Sequence, residues 1–269
     1  MFTTLDLTYE NISGCDVLNN ELNNVWKWLS VNKLSLNIDK THFMIFHSRM
    51  ARRKPFIPDL FINGIKIKHT TTFKFLGIIF DENLTWKQHC DYIARKINKV
   101  CGIMNRLKRI LPYHTMRTLY FSMIHSHLNY GLLAWGFQPN RLFKIQKRAI
   151  RTITLSKYNA HTEPLFKSSG ILKLNDLLNL ISIKFYYKLK NEQLPQYFNS
   201  FTIEHQNSIH EYPTRQGSLI RTNPTRTIFA QKCLHNALPS ILNSAPTELY
   251  NRIYTHSLPS VAQLIKRDF

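Results

Sequence analysis

The chain has 269 residues, 43% of them hydrophobic and 12% aromatic, enough for a buried core in one large domain or two smaller ones and too apolar for disorder throughout. Thirty-six Lys and Arg against 16 Asp and Glu leave a net charge of +20, a field that favours a polyanionic partner, nucleic acid first and an acidic membrane surface second. The longest apolar runs, at 75–80 and 131–137, fall short of the roughly 20 residues a spanning helix needs, and no basic-flanked apolar leader opens the chain. No membrane contact is expected, and the location expected is nuclear or cytoplasmic.

In chain order, residues 16–30 set Val17, Leu18, Leu22, Val25, Trp26 and Leu29 on one helical stripe, with Asp16 as the N-cap. From Leu34 to Phe46 the pattern reads as a turn and a strand. Asn63-Gly64 between apolar alternations is a hairpin signal. Phe73 to Phe80 reads as a further strand, stopped by Asp81-Glu82-Asn83.

Beyond Trp86 the apolar period becomes helical, with Ile93, Ile97, Val100, Cys101, Met104, Leu107 and Leu111 in register until Pro112. Further helices are expected over 113–135, 140–155 and 174–190. Residues 200–235, polar and basic with Pro213 and Pro224, read as loops with one short strand, and 257–269 as a terminal helix. Strands first and helices afterwards make an α+β fold, a small strand-rich part followed by a mainly helical basic region. The divisions expected are 1–83, 84–160 and 161–269.

Cys15, Cys90, Cys101 and Cys233 form no CxxC pair, and no histidine pair at i,i+4 is backed by cysteine, so reduced thiols and no metal site are expected. The charge is concentrated. Between Leu84 and Ala160 fourteen basic residues face one acid, Asp91. Arg95, Lys99 and Arg106 fall on one face of the first long helix, away from its apolar stripe. Solvated helix faces usually mix signs to support i,i+4 pairs; this asymmetry points instead to phosphates.

Five stretches, 26–46, 73–97, 106–136, 141–153 and 212–239, together resemble the C-terminal part of the reverse transcriptase of LINE-type (non-LTR) retrotransposons. The resemblance implies that WKWLSVNKLSLNIDKTHFMIF at 26–46 is similar to motif D of the palm, with Lys40 at the position of a general acid that protonates the pyrophosphate leaving group in the full enzyme. It implies that Phe75, Leu76 and Gly77 match the hairpin that grips the primer; core packing explains Phe75 and Leu76 equally well. For Trp86, base stacking and anchoring of the core are the two readings.

The helices after Trp86 correspond in that family to the thumb. The side chains expected on nucleic acid are therefore Lys87, Arg95, Lys96, Lys99, Arg106, Lys108, Arg109, Arg117, Lys144, Lys147, Arg148 and Arg151. Tyr212, Thr214 and Arg215 recur in the family without a chemical role to assign.

The partners implied are an RNA template and a DNA primer, with a deoxynucleotide the only small ligand, and that only in the full enzyme. The family's polymerase centre holds Mg²⁺ on an aspartate pair. No Asp-Asp occurs in this sequence, so the chain is expected to bind no cofactor and, by itself, not to polymerise. A stand-alone nucleic-acid-binding protein and an element relic without function are the alternatives.

Overall fold

A computed structural model describes residues 13–50, 55–137, 140–208 and 219–244. Two compact units meet between His89 and Cys90, and each is described by itself.

The first unit opens with helix α1 (Ser13–Val31). Asp16 lies inside its first turn rather than at the cap. Of the expected stripe, Leu18 is buried and Leu22 and Trp26 pack on the same small core, whereas Val17 is 53% exposed. Three residues four apart make a narrow seam, and that is all the short strands beneath can cover.

Those strands come in pairs. β1 (His42–Phe43) lies parallel to β4 (Lys68–His69), and β2 (Phe61–Ile62) is antiparallel to β3 (Ile65–Lys66). Asn63-Gly64 turns the latter pair with positive φ at both positions, as a tight hairpin demands. Leu60, Ile62 and Ile67 meet Leu18 in the core, and Asn19 fastens α1 to β2 by accepting a hydrogen bond from the Phe61 amide at 2.8 Å.

The expected strand over 34–46 shrinks to β1. Asn37 caps a 3₁₀ turn at Ile38–Lys40, its side-chain oxygen accepting from the Lys40 amide, and this local bond competes with strand pairing.

Phe73–Phe80 is a hairpin rather than one strand. β5 (Thr72–Phe75) pairs antiparallel with β6 (Ile78–Asp81), Phe75 opposite Ile78. The two turn residues, Leu76 (φ 45) and Gly77 (φ 87), are both left-handed. Behind the hairpin, buried Asp81 accepts hydrogen bonds from the Thr85 amide (2.9 Å), the Trp86 amide (3.0 Å) and the Thr85 hydroxyl (3.2 Å). His89 accepts from the Ile79 amide at 3.2 Å, and its burial lowers its pKa to about 4.

The second unit is helical. α2 (Lys87–Leu107) crosses the division in its first turn and stops one turn earlier than its apolar period suggests. The expected helix over 113–135 is interrupted: α3 (Tyr113–Tyr120), a π-helical turn (Phe121–His125), α4 (Ser126–Asn129), then left-handed Gly131 and α5 (Leu132–Trp135). The interruption has a reason in the sequence. Met116, Tyr120, Ile124, Leu128 and Leu132 are all buried and recur every four residues. In a regular α-helix such a row drifts around the axis by about 40° per step; the wider π turn takes up part of that drift and keeps the row on the core. Gly136 follows because a Cβ there would stand 2.5 Å from the Leu132 carbonyl oxygen.

α6 (Asn140–Ile153) and α8 (Leu174–Lys190) form as expected, α6 ending two residues early. Three helices were not expected: α7 (Glu163–Ser169), α9 (Ile228–Gln231) and α10 (Leu234–Ser244). Around them, the described residues of 200–235 hold short 3₁₀ turns and one bridge, His205 with Ile220.

The core runs through Ile97, Met104, Tyr120, Trp135, Leu142, Ile150, Ile183 and Leu238. One buried amide knits it together: Gln146 donates to the Tyr120 hydroxyl (2.8 Å) and the Leu172 carbonyl (2.9 Å) and accepts from the Leu174 amide (2.9 Å). All four cysteines are free thiols, Cys90 and Cys101 buried. The stretch 257–269 and residues Tyr212, Thr214 and Arg215 lie outside the described residues.

Candidate nucleic-acid interface

Two polar rungs join α2 to α6. Arg141 pairs with Asp91, and Arg148 donates to Asn98. Each pair of positions is separated by the same seven residues along its helix, so α2 and α6 run parallel, in register, side by side.

At about 100° per residue the rungs fix how each helix is turned. On α2 the buried Ile93, Ala94, Ile97, Cys101 and Met104 lie to one side of the Asp91–Asn98 line, and exposed Arg95, Lys99 and Arg106 to the other. On α6 the buried Leu142, Ile145, Ala149 and Ile150 lie to one side of the Arg141–Arg148 line, and Lys144, Lys147 and Arg151 to the other. The turn from rung to core has opposite sense on the two helices. Both cores therefore lie beneath the pair, and both basic sides face outward together.

The surface so made carries Arg95, Lys99 and Arg106 on α2 and Arg141, Lys144, Lys147, Arg148 and Arg151 on α6. Asp91, held by Arg141, is the single acid on the pair. From Arg95 to Arg106 the basic row is about 16 Å long. Four members of the surface are braced from within: Arg141 by Asp91, Arg148 through Asn98, Arg151 by donating Nε to the Ala160 carbonyl at 2.9 Å, and Lys147 over the Phe143 ring at 4.4 Å. A guanidinium has five N–H donors, so an arginine oriented by one bond still presents others.

The remaining sequence-derived residues lie elsewhere. Lys96 sits on the flank of α2 over the Tyr92 ring (4.8 Å), where burial and its charge together lower the pKa of His127. Arg117 is turned inward on α3; its Nε donates to the Ser169 carbonyl at 2.9 Å and its guanidinium stacks on Phe121. Lys108 and Arg109 follow the end of α2, and Lys87 is the residue that opens α2, in the first unit.

In the first unit Lys40 is exposed at the end of its 3₁₀ turn. Phe75 is half-buried at the end of β5, while Leu76, at the hairpin apex, is 73% exposed and so not core packing. Trp86 is half-buried, its ring 5.4 Å from that of Phe80.

The rungs themselves were not foreseen, although the shared seven-residue spacing of Asp91/Asn98 and Arg141/Arg148 is present in the sequence. Among the described residues no three His, Cys, Asp or Glu side chains form a group able to hold a metal ion. No helix among the described residues is long and apolar enough to cross a membrane.

The chain is similar to RNA-directed DNA polymerases of LINE-type mobile elements. It is 25% identical over 172 residues to the RNA-directed DNA polymerase from mobile element jockey of Drosophila melanogaster, which covers 61% of this chain and 18% of that protein. The jockey polymerase of Drosophila funebris is 21% identical over 185 residues, 66% of this chain and 20% of that one. The probable RNA-directed DNA polymerase from transposon X-element of Drosophila melanogaster is 21% identical over 175 residues, covering 62% of this chain and 19% of that protein. The chain thus spans about a fifth of the length of the curated relatives it matches. No protein-family model matches it, and no solved structure matches it.

Proposed function

We propose that this chain is the template–primer-holding part of a LINE-type RNA-directed DNA polymerase, and that the outward face of α2 and α6 seats the phosphate backbone of an RNA/DNA duplex. One observation carries the reading: two parallel helices, locked by the Asp91–Arg141 and Asn98–Arg148 rungs, turn six basic side chains to one side, with Arg141 and Arg148 in the rungs between them. Such a surface has no core to cover and its one acid, Asp91, is already held by Arg141; a regular double row of phosphates is the ligand whose charge and spacing suit it.

In the first unit, the β5–β6 hairpin with Leu76 and Gly77 at its apex is the primer grip of this reading. A tight left-handed turn brings backbone rather than side chain close to a strand. Lys40, exposed on its capped turn, takes the proton-donor position of this reading. Nucleotidyl transfer is assigned to none of the residues described.

A binding titration by fluorescence anisotropy tests the proposal, using an RNA/DNA hybrid and a range of salt concentrations. Four or five phosphate contacts give a log–log slope of about −4. Binding that ignores salt contradicts the assignment. Magnesium-dependent extension of the primer by this chain alone contradicts the separation of holding from catalysis.

A further inference from the structure

Because α2 and α6 run parallel, they also finish together. Measured from the Asp91–Arg141 rung, Leu107 closes α2 about 24 Å along and Ile153 closes α6 about 18 Å along. The segments that leave them, 108–112 and 154–160, thus emerge side by side within about one helical turn of each other in height.

These two exits, with the first residue of α3, form a rim of exposed apolar and aromatic side chains: Ile110 (75% exposed), Tyr113 (46%), Leu155 (63%) and Tyr158 (91%). Lys108, Arg109 and Lys157 stand among them, and no acid occurs between Asp91 and Glu163.

The second exit is a built loop. Leu155 takes a left-handed conformation (φ 53) where glycine is usual, and the Ser156 amide reaches back to the Arg151 carbonyl at 3.0 Å, the long bond of a Schellman cap. The Ala160 amide bonds the Lys157 carbonyl at 3.0 Å, closing a turn around Tyr158. Arg151 then ties Ala160 to the outward face of α6. The loop is drawn onto the basic side of the pair, and Tyr158 is displayed there by fixed backbone.

We propose that this rim is a stacking platform for an unpaired or terminal nucleobase, with Tyr158 lying against the base while α2 and α6 hold the phosphates of the adjoining duplex. The proposal rests on the reading of the basic face given above. Its chemistry is distinct from that face: aromatic rings take the flat faces of any base, with little salt dependence of their own. The surrounding cations select a polyanion over an apolar or cationic partner.

The experiment uses the full chain and two probes, a blunt RNA/DNA hybrid and the same hybrid with a single-stranded overhang carrying 2-aminopurine at its first unpaired position. Wild type quenches the 2-aminopurine. Tyr158→Ala is expected to lose the quench and to bind the overhang probe about 5- to 100-fold more weakly, with the salt slope unchanged, while Tyr158→Phe keeps both. Tyr158→Ala with wild-type quench and affinity overturns the platform alone. A wild-type chain that binds neither probe removes the basic-face reading and this proposal with it.

Discussion

In the first unit one helix and two pairs of short strands, β1–β4 and β2–β3, close over Leu18, Leu60, Ile62 and Ile67, while Phe46, Phe56, Ile57 and Leu76 stay exposed. In the second, long helices enclose a continuous core from Ile93 to Leu242 and turn an almost acid-free face outward. The contrast separates two ways of holding a shape. Where strands are two to four residues long there is too little apolar area to fix the hairpins, and buried polar groups, Asp81 and His89, brace β6 and the start of α2. Where helices are long, apolar packing fixes the scaffold and charge is left to the surface.

Removing packing from the second unit has the largest expected effect. Ile124, fully buried in the π turn, is central to the four-residue row; Ile124→Ala should destabilise the unit by about 3 kcal/mol, read from urea denaturation. A loss under about 1 kcal/mol would mean that the row does not carry the packing.

Acid acts on the first unit. His89 is held neutral by burial with its pKa lowered to about 4, while the unfolded chain protonates near 6.5. Its contribution is complete above pH 6.5 and falls as pH drops through that value towards 4, by up to about 1.4 kcal/mol per pH unit. Urea midpoints followed on the β5–β6 amides by NMR should therefore decline between pH 7 and 4.5, and His89→Gln should flatten the decline. Equal slopes in both proteins would remove His89 from the account.

Asp81→Ala deletes the carboxylate that receives Thr85 and Trp86, and a loss of about 2 kcal/mol is expected in the same assay; an effect near zero would show that the brace is idle. Smallest is Gly77→Ala. At φ 87 a Cβ is disfavoured, and about 1 kcal/mol should go from the hairpin. No change there would deny the left-handed turn.

The same contrast marks what could be read from the amino acids. The hairpin at Asn63-Gly64 and the helix at 174–190 were legible because turn chemistry and apolar period are written locally. The turn at Leu76-Gly77 was hidden from pattern reading, since a leucine at positive φ announces nothing, although the family resemblance pointed to a hairpin there. The row from Met116 to Leu132 looked like one helix, because a period of four passes for helical until its drift is followed over several turns. α10 escaped notice with Pro239 inside it.

At the candidate site, the excess of base over acid was plain from residue counts. That Arg117 turns inward, and that Asn98 and Asp91 aim α6, depends on contacts 50 to 52 residues apart in the chain. No local pattern records them.

The most direct test replaces Arg95, Lys99 and Lys144 together by glutamine and compares the salt dependence of RNA/DNA hybrid binding with wild type. If the paired helices seat phosphates, the log–log slope becomes shallower by about 3 and affinity at low salt falls at least about tenfold, with thermal stability unchanged. A variant that keeps the wild-type slope and affinity would contradict the account.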